Sequence, residues 1–144
     1  MALPQQLTLE LVTPERAIVH EAVDEVQIPG SEGYLGVLPG HTPLLTTLQV
    51  GELWFRQGDD RRYVSVAFGF AEILADRVTI LAQVAERAEE VDVDRAQEAA
   101  RRSRDRLTRA PVELDFERAR MSLMKSLIRL QVASKIHVKP KVGL

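Results

Sequence analysis

The apolar pattern of this chain changes its period once, just after Val91, and that single change limits the fold more than any other feature. Up to Val84 the period is two. Leu7, Leu9 and Leu11 alternate with Thr8, Glu10 and Val12, and Val23 to Ile28 alternates more loosely. Leu53 and Phe55 alternate with Glu52, Trp54 and Arg56, and Val64, Val66 and Phe68 with Tyr63, Ser65 and Ala67. Val78 and Ile80 are followed by Leu81 and Val84. Such alternation describes half-buried antiparallel strands with one apolar face. Turn residues punctuate the runs at Thr13-Pro14, Pro29-Gly30, Pro39-Gly40, Gly58-Asp59-Asp60 and Asp76-Arg77, a spacing that suggests a sandwich or a barrel. Two stacked sheets would bury the apolar faces of both.

Beyond Val91 the period becomes helical. Ala96, Ala99, Ala100, Ser103 and Leu107 share one face, and Phe116, Ala119, Leu123, Leu127 and Leu130 share another in a second segment. Asp92 and Asp115 are the expected N-caps, because a carboxylate can accept from the free amides of a first turn. Pro111 separates the two segments, so the expectation is an antiparallel helical hairpin whose first helix offers mostly alanine to its partner. The division is therefore residues 1–88 and residues 89–144, with a loose, solvated tail from His137 to Leu144, near Lys135, Lys139 and Lys141.

Composition narrows the classes. Apolar residues make up 45% of the 144, enough for a sizeable core. The absence of cysteine removes disulfides and thiolate metal sites, and His20, His41 and His137 have no ligand spacing, so no metal is expected. Apolar runs are too short to span a bilayer, and Met1 to Gln6 lack the basic and apolar regions of a secretion or transit signal. The net charge of −2 conceals a division. Residues 1–93 hold 6 Lys/Arg and 15 Asp/Glu, or −9; residues 94–144 hold 13 and 6, or +7. The basic half suits nucleic acid, lipid headgroups or an acidic protein surface.

No catalytic constellation stands out. The run Gly30 to Gly36 has glycines but no Lys-Ser/Thr and no following helix, so its glycines serve turns rather than a phosphate loop. His41 is a lone turn histidine, and Glu89-Glu90 and Asp59-Asp60 are solvated acidic pairs. No nucleophile, base and orienting group can be named together, and an enzyme is not expected. Arg95, Arg101, Arg102, Arg104, Arg106 and Arg109 crowd the first helix as a solvated or interacting strip. Nucleic-acid binding by this basic hairpin is one alternative, although the helices carry no aromatic platform beyond Phe116.

The long run Gly30-Ser31-Glu32-Gly33-Tyr34-Leu35-Gly36-Val37-Leu38-Pro39-Gly40-His41-Thr42-Pro43-Leu44-Leu45-Thr46 resembles the signature of the epsilon-subunit family of bacterial F-type ATP synthases. The likeness extends to Leu9–Pro14, Gly69-Phe70-Ala71-Glu72-Ile73, Val78-Thr79-Ile80-Leu81-Ala82, Asp92-x-x-Arg95-Ala96 and Arg129-Leu130, so it covers nearly the whole chain. The resemblance implies a sandwich of about ten antiparallel strands followed by a two-helix hairpin. It implies a non-catalytic rotor subunit that binds the gamma shaft, stands on the c-ring and couples proton flow to ATP synthesis. Its hairpin would inhibit hydrolysis by reaching an acidic segment of beta in the alpha/beta head. Glu32, Tyr34 and His41 are the candidate c-ring or gamma contacts. The implied location is the cytoplasmic face of the bacterial inner membrane, peripheral and without insertion, and no nucleic-acid partner follows. Some relatives bind regulatory ATP. The matching positions here are Glu86, Asp92, Arg95, Ala96 and Arg102, with Lys125 replacing a family arginine, and Arg129. Val91 and Asp94 also depart from that motif.

Overall fold

The structure, a computed structural model, describes residues 3–109 and 113–136. Eight strands come first: β1 (Leu7–Val12), β2 (Ala17–Val23), β3 (Glu25–Gly30), β4 (Gly33–Val37), β5 (Leu44–Leu48), β6 (Gly51–Gln57), β7 (Asp60–Ile73) and β8 (Arg77–Arg87). A 3-10 turn at Ala88–Glu90 leads to α1 (Val93–Arg109) and α2 (Glu113–Ala133).

The strands form a β-sandwich from one continuous ladder, because β7 and β8 run through both layers. In one layer, β1 pairs β2 and the start of β8, while the end of β7 pairs β5. In the other, the start of β7 pairs β6, and β6 pairs β3, which pairs β4. The two long strands keep one register along their whole length, with only the rung at Phe68 missing between Ala67↔Val84 and Gly69↔Ala82. There Phe68 takes φ 61° and Gly69 φ 131°. This bend shifts the side-chain phase by one residue. Val64 and Val66 face the core before it, and Ala71 and Ile73 after it; in β8 the set changes from Val78, Ile80 and Ala82 to Ala85. Leu9, Val26, Ile28, Leu53 and Phe55, all fully buried, complete the same core.

Several expectations are corrected by this bend. There are eight strands rather than about ten, because each long strand serves both layers. Phe68 does not share the core face of Val64 and Val66; the bend leaves it half-buried on the far side. The sheet is antiparallel except where β1 runs parallel to β8. Gly33 and Gly40, with φ 128° and 88°, do serve turns.

The helices follow the sequence in part. Ala96, Ala100 and Ser103 form the buried seam of α1, as their spacing predicts. Asp92 caps α1, its Oδ1 accepting from the Arg95 amide at 3.1 Å. Asp115 is not a cap, because α2 already begins at Glu113; it lies in the first turn, where the helix dipole still favours a carboxylate. Phe116 and Leu127 are exposed rather than inward. α2 packs against both α1 and the sheet, and buries Ala119, Ser126 and Val132 instead. Pro111 and the tail from His137 to Leu144 lie outside the described residues.

At Gly69 any Cβ would overlap the Leu81 carbonyl oxygen and stand 2.9 Å from Ala82 Cα. Gly69→Ala is expected to lower stability by about 3 kcal/mol, from strain plus close approach. Urea unfolding should show this as a fall in midpoint at unchanged slope.

Candidate functional site

The second layer has two apolar faces. On β6, Leu53 and Phe55 point into the core, whereas Glu52 and Trp54 point outward and are nevertheless buried. On β7, Tyr63 sits opposite Trp54 in register. Trp54, Tyr63, Ala88 and Val132 form a separate cluster, flanked by Ile128 and Ile136. The hairpin therefore lies folded down, with α2 as the cover of this outer face and α1 packed on α2.

Charges fasten the cover. Arg129 Nη2 donates to Glu86 Oε1 at 3.2 Å. Lys135 Nζ lies 2.8 Å from Glu52 Oε1, which also accepts from Gln131 Nε2 at 3.2 Å. Each pair joins the basic hairpin to the acidic sandwich, as the charge division predicts.

Between α2 and the sheet a cleft of about 300 Å³ remains. Its apolar floor includes Val66 and Val84, and its polar rim is Ser65, Glu86, Lys125, Ser126 and Arg129. Arg129 Nε is buried there with no hydrogen-bond partner among the described residues. Lys125 Nζ rests 5.5 Å from the centre of the Phe68 ring. Two cations beside an apolar floor form an arrangement suited to an anion with a flat apolar portion.

The structure thus brings together three of the sequence-selected residues, Glu86, Lys125 and Arg129. Asp92, Arg95, Ala96 and Arg102 sit on or before α1 and do not line the cleft. Asp92 caps, Ala96 is buried, Arg95 is exposed, and Arg102 Nη1 lies 3.7 Å from Glu98. Arg101 also pairs with Glu98 and holds that carboxyl below its ordinary range, so part of the arginine strip is engaged within the helix. Sequence reasoning missed Glu52, Gln131 and Lys135. The one available signal was an acidic residue directly before the apolar run Leu53-Trp54-Phe55 of β6.

Two other surfaces are open. Around β4, Glu32 and Tyr34 are exposed on the side of the β3–β4 turn, and beyond the strand's other end His41 is half-buried, its Nδ1 2.6 Å from the Thr42 carbonyl oxygen. Leu38, Leu44 and Leu45 are exposed in the same stretch. On the outer face of the first layer Phe70 pairs with Leu81, and both are more than half exposed beside a shallow cleft of about 330 Å³ that includes Val12 and Pro14. Apolar side chains clustered on one exposed face mark a contact surface. Among the described residues, no group of three or more metal-ligating side chains gathers, and no helix is long and apolar enough to cross a membrane.

Comparison with known proteins bears on these surfaces. Residues 6–88 match the family model "ATP synthase, Delta/Epsilon chain, beta-sandwich domain", and residues 89–134 match "ATP synthase, Delta/Epsilon chain, long alpha-helix domain". The chain is 47% identical to the ATP synthase epsilon chain of Solibacter usitatus, over 92% of this chain and 99% of that one. It is also 47% identical to the epsilon chain of Syntrophobacter fumaroxidans, over 91% and 98%. A chain of the Euglena gracilis mitochondrial ATP synthase, solved as OSCP/F1/c-ring, superposes with a TM-score of 0.80 at 26% identity, over 93% of this chain and 84% of that one. A central stalk/c-ring structure from Tetrahymena thermophila shares the fold at TM-score 0.57 and 15% identity, over 91% of this chain and 96% of that one.

Removing the α1 cap tests the local geometry. Asp92→Ala is expected to cost about 1 kcal/mol of helix stability. Amide exchange should quicken in the first turn of α1, at Arg95 and Ala96, while β-core amides keep their protection.

Proposed function

This chain belongs to the delta/epsilon family of ATP synthase subunits, and on that premise we propose that it is a non-catalytic central-stalk subunit whose two open surfaces hold the rotor and whose hairpin restrains hydrolysis. The observation that carries this reading is the asymmetry of the sandwich: one outer face is covered by α2, and the other is left bare with Phe70 and Leu81. The bare face docks on the gamma shaft. Glu32, Tyr34 and His41, with the exposed leucines of the same stretch, supply contacts to the c-ring or gamma. The subunit is then peripheral, at the cytoplasmic face of a bacterial inner membrane, and takes part in coupling proton flow to ATP synthesis without chemistry of its own.

The hairpin is the regulatory arm. Its seam on the sheet is a small apolar cluster and a few ion pairs, so its position is set by a modest energy. Moving such an equilibrium from 1:99 to 99:1 takes about 5.5 kcal/mol of differential binding. Released, α1 carries its arginines to an acidic segment of beta in the alpha/beta head. A second reading is favoured by the cleft: ATP, bound near Glu86, Lys125 and Arg129, would stabilise the docked form, because a ligand favours the state that binds it. Asp92, Arg95, Ala96 and Arg102 complete this proposal if α1 moves closer in the bound form. Lys125 offers a point charge rather than a two-pronged donor, which weakens the grip on phosphate.

Three measurements test this reading. Phe70→Glu should weaken binding to gamma at least about tenfold, the scale of one buried aromatic anchor; unchanged affinity would place the shaft elsewhere. Deleting residues 92–144 should raise ATP hydrolysis by the assembled head, and an unaltered rate removes the inhibitory role. In calorimetry, Arg129→Ala should abolish the heat of ATP binding, and an undiminished heat would rule out the cleft.

A further inference from the structure

We infer that Glu52 is the anchor that sets how firmly the hairpin is held, and that it acts independently of the anion cleft. The inference deepens the regulatory reading of the hairpin, but its basis is local. Glu52 is only 6% exposed, although it sits on the outer face of β6. Both of its partners come from the C-terminal end of the hairpin, Gln131 in the last turn of α2 and Lys135 just beyond it. The ammonium of Lys135 also lies 5.2 Å from the centre of the Tyr63 ring, so one side chain bridges the carboxylate and the aromatic cluster.

A carboxylate this buried is costly unless paired. With α2 docked, Lys135 compensates it; with α2 lifted, water does. The carboxylate thus makes docking conditional on the end of α2 being correctly seated. The second ion pair differs. Glu86 and Arg129 stand on the rim of the cleft, where a bound anion competes for Arg129, whereas neither Glu52 nor Lys135 lines that cleft. Ligand occupancy therefore acts on one fastening and leaves the other unaltered. Because α1 packs on α2, releasing the Glu52 end frees the hairpin as a unit.

The chain has no cysteine, so Val132→Cys supplies a single thiol at a fully buried point of the seam. Its labelling rate reports lifting of the hairpin. Lys135→Ala in this background should raise that rate about tenfold, the loss of one charge-assisted hydrogen bond beneath the helix. Adding Glu52→Gln should then slow labelling again, because the stranded charge is gone and the amide still meets Gln131. A merely structural role predicts the opposite order, with the double variant fastest. A control thiol at Val26→Cys, inside the sandwich core, should keep its rate in every variant. An unchanged rate in Lys135→Ala, a double variant faster than the single, or a parallel rise at the control thiol would each overturn the inference. Since neither gamma nor nucleotide is present, the outcome does not depend on the docking or ATP proposals.

Discussion

The bend at Phe68-Gly69 is the constraint from which the rest of this architecture follows. A strand as long as β7 could not lie in two stacked layers without turning over, and the left-handed pair of residues lets it do so while β8 follows in register on either side. The one-residue phase shift keeps apolar side chains inward in both halves. It also fixes what faces outward. Before the bend the outer side chains are Tyr63, Ser65 and Ala67, which α2 covers; after it they are Phe70 and Glu72, which are exposed among the described residues. A single local conformation thus yields a self-contained core, a seat for the hairpin and an open face for a partner.

The hairpin is bound to its seat by contacts of a different kind. The core is held by continuous apolar packing, which resists partial opening. The seam combines a small apolar cluster with ion pairs between oppositely charged halves, and the cleft lies beside it. Such an interface separates without disturbing the sheet. Stability and mobility are therefore assigned to different parts of one chain, which suits a subunit that must hold a shaft while its arm changes place.

Much of this was legible from residue patterns. The change of period near Val91 located the helices, the spacing of Ala96, Ala100 and Ser103 gave the seam of α1, and Asp92 announced its cap. The charge division foretold the sign of the pairs between hairpin and sheet. Phe68 misled because alternation assumes an unbroken strand, and a non-glycine residue with positive φ leaves no mark in the pattern. Asp115, Phe116 and Leu127 misled because α2 has two partners, so its buried positions do not form one stripe. Glu52 was hidden because strand period says which residues share a face, not which face a later helix will cover. Of the candidate site, Glu86, Lys125 and Arg129 converge on the cleft, while the α1 positions converge only in sequence likeness.

The sandwich is complete by itself, and the hairpin is a detachable cover over Trp54. The chain's single tryptophan makes this directly measurable. Residues 1–88 alone should unfold cooperatively in urea, with Trp54 emission shifted to the red of the whole chain, because α2 no longer shields the indole. A fragment with no cooperative transition, or a folded one whose emission matches that of the whole chain, would contradict the account.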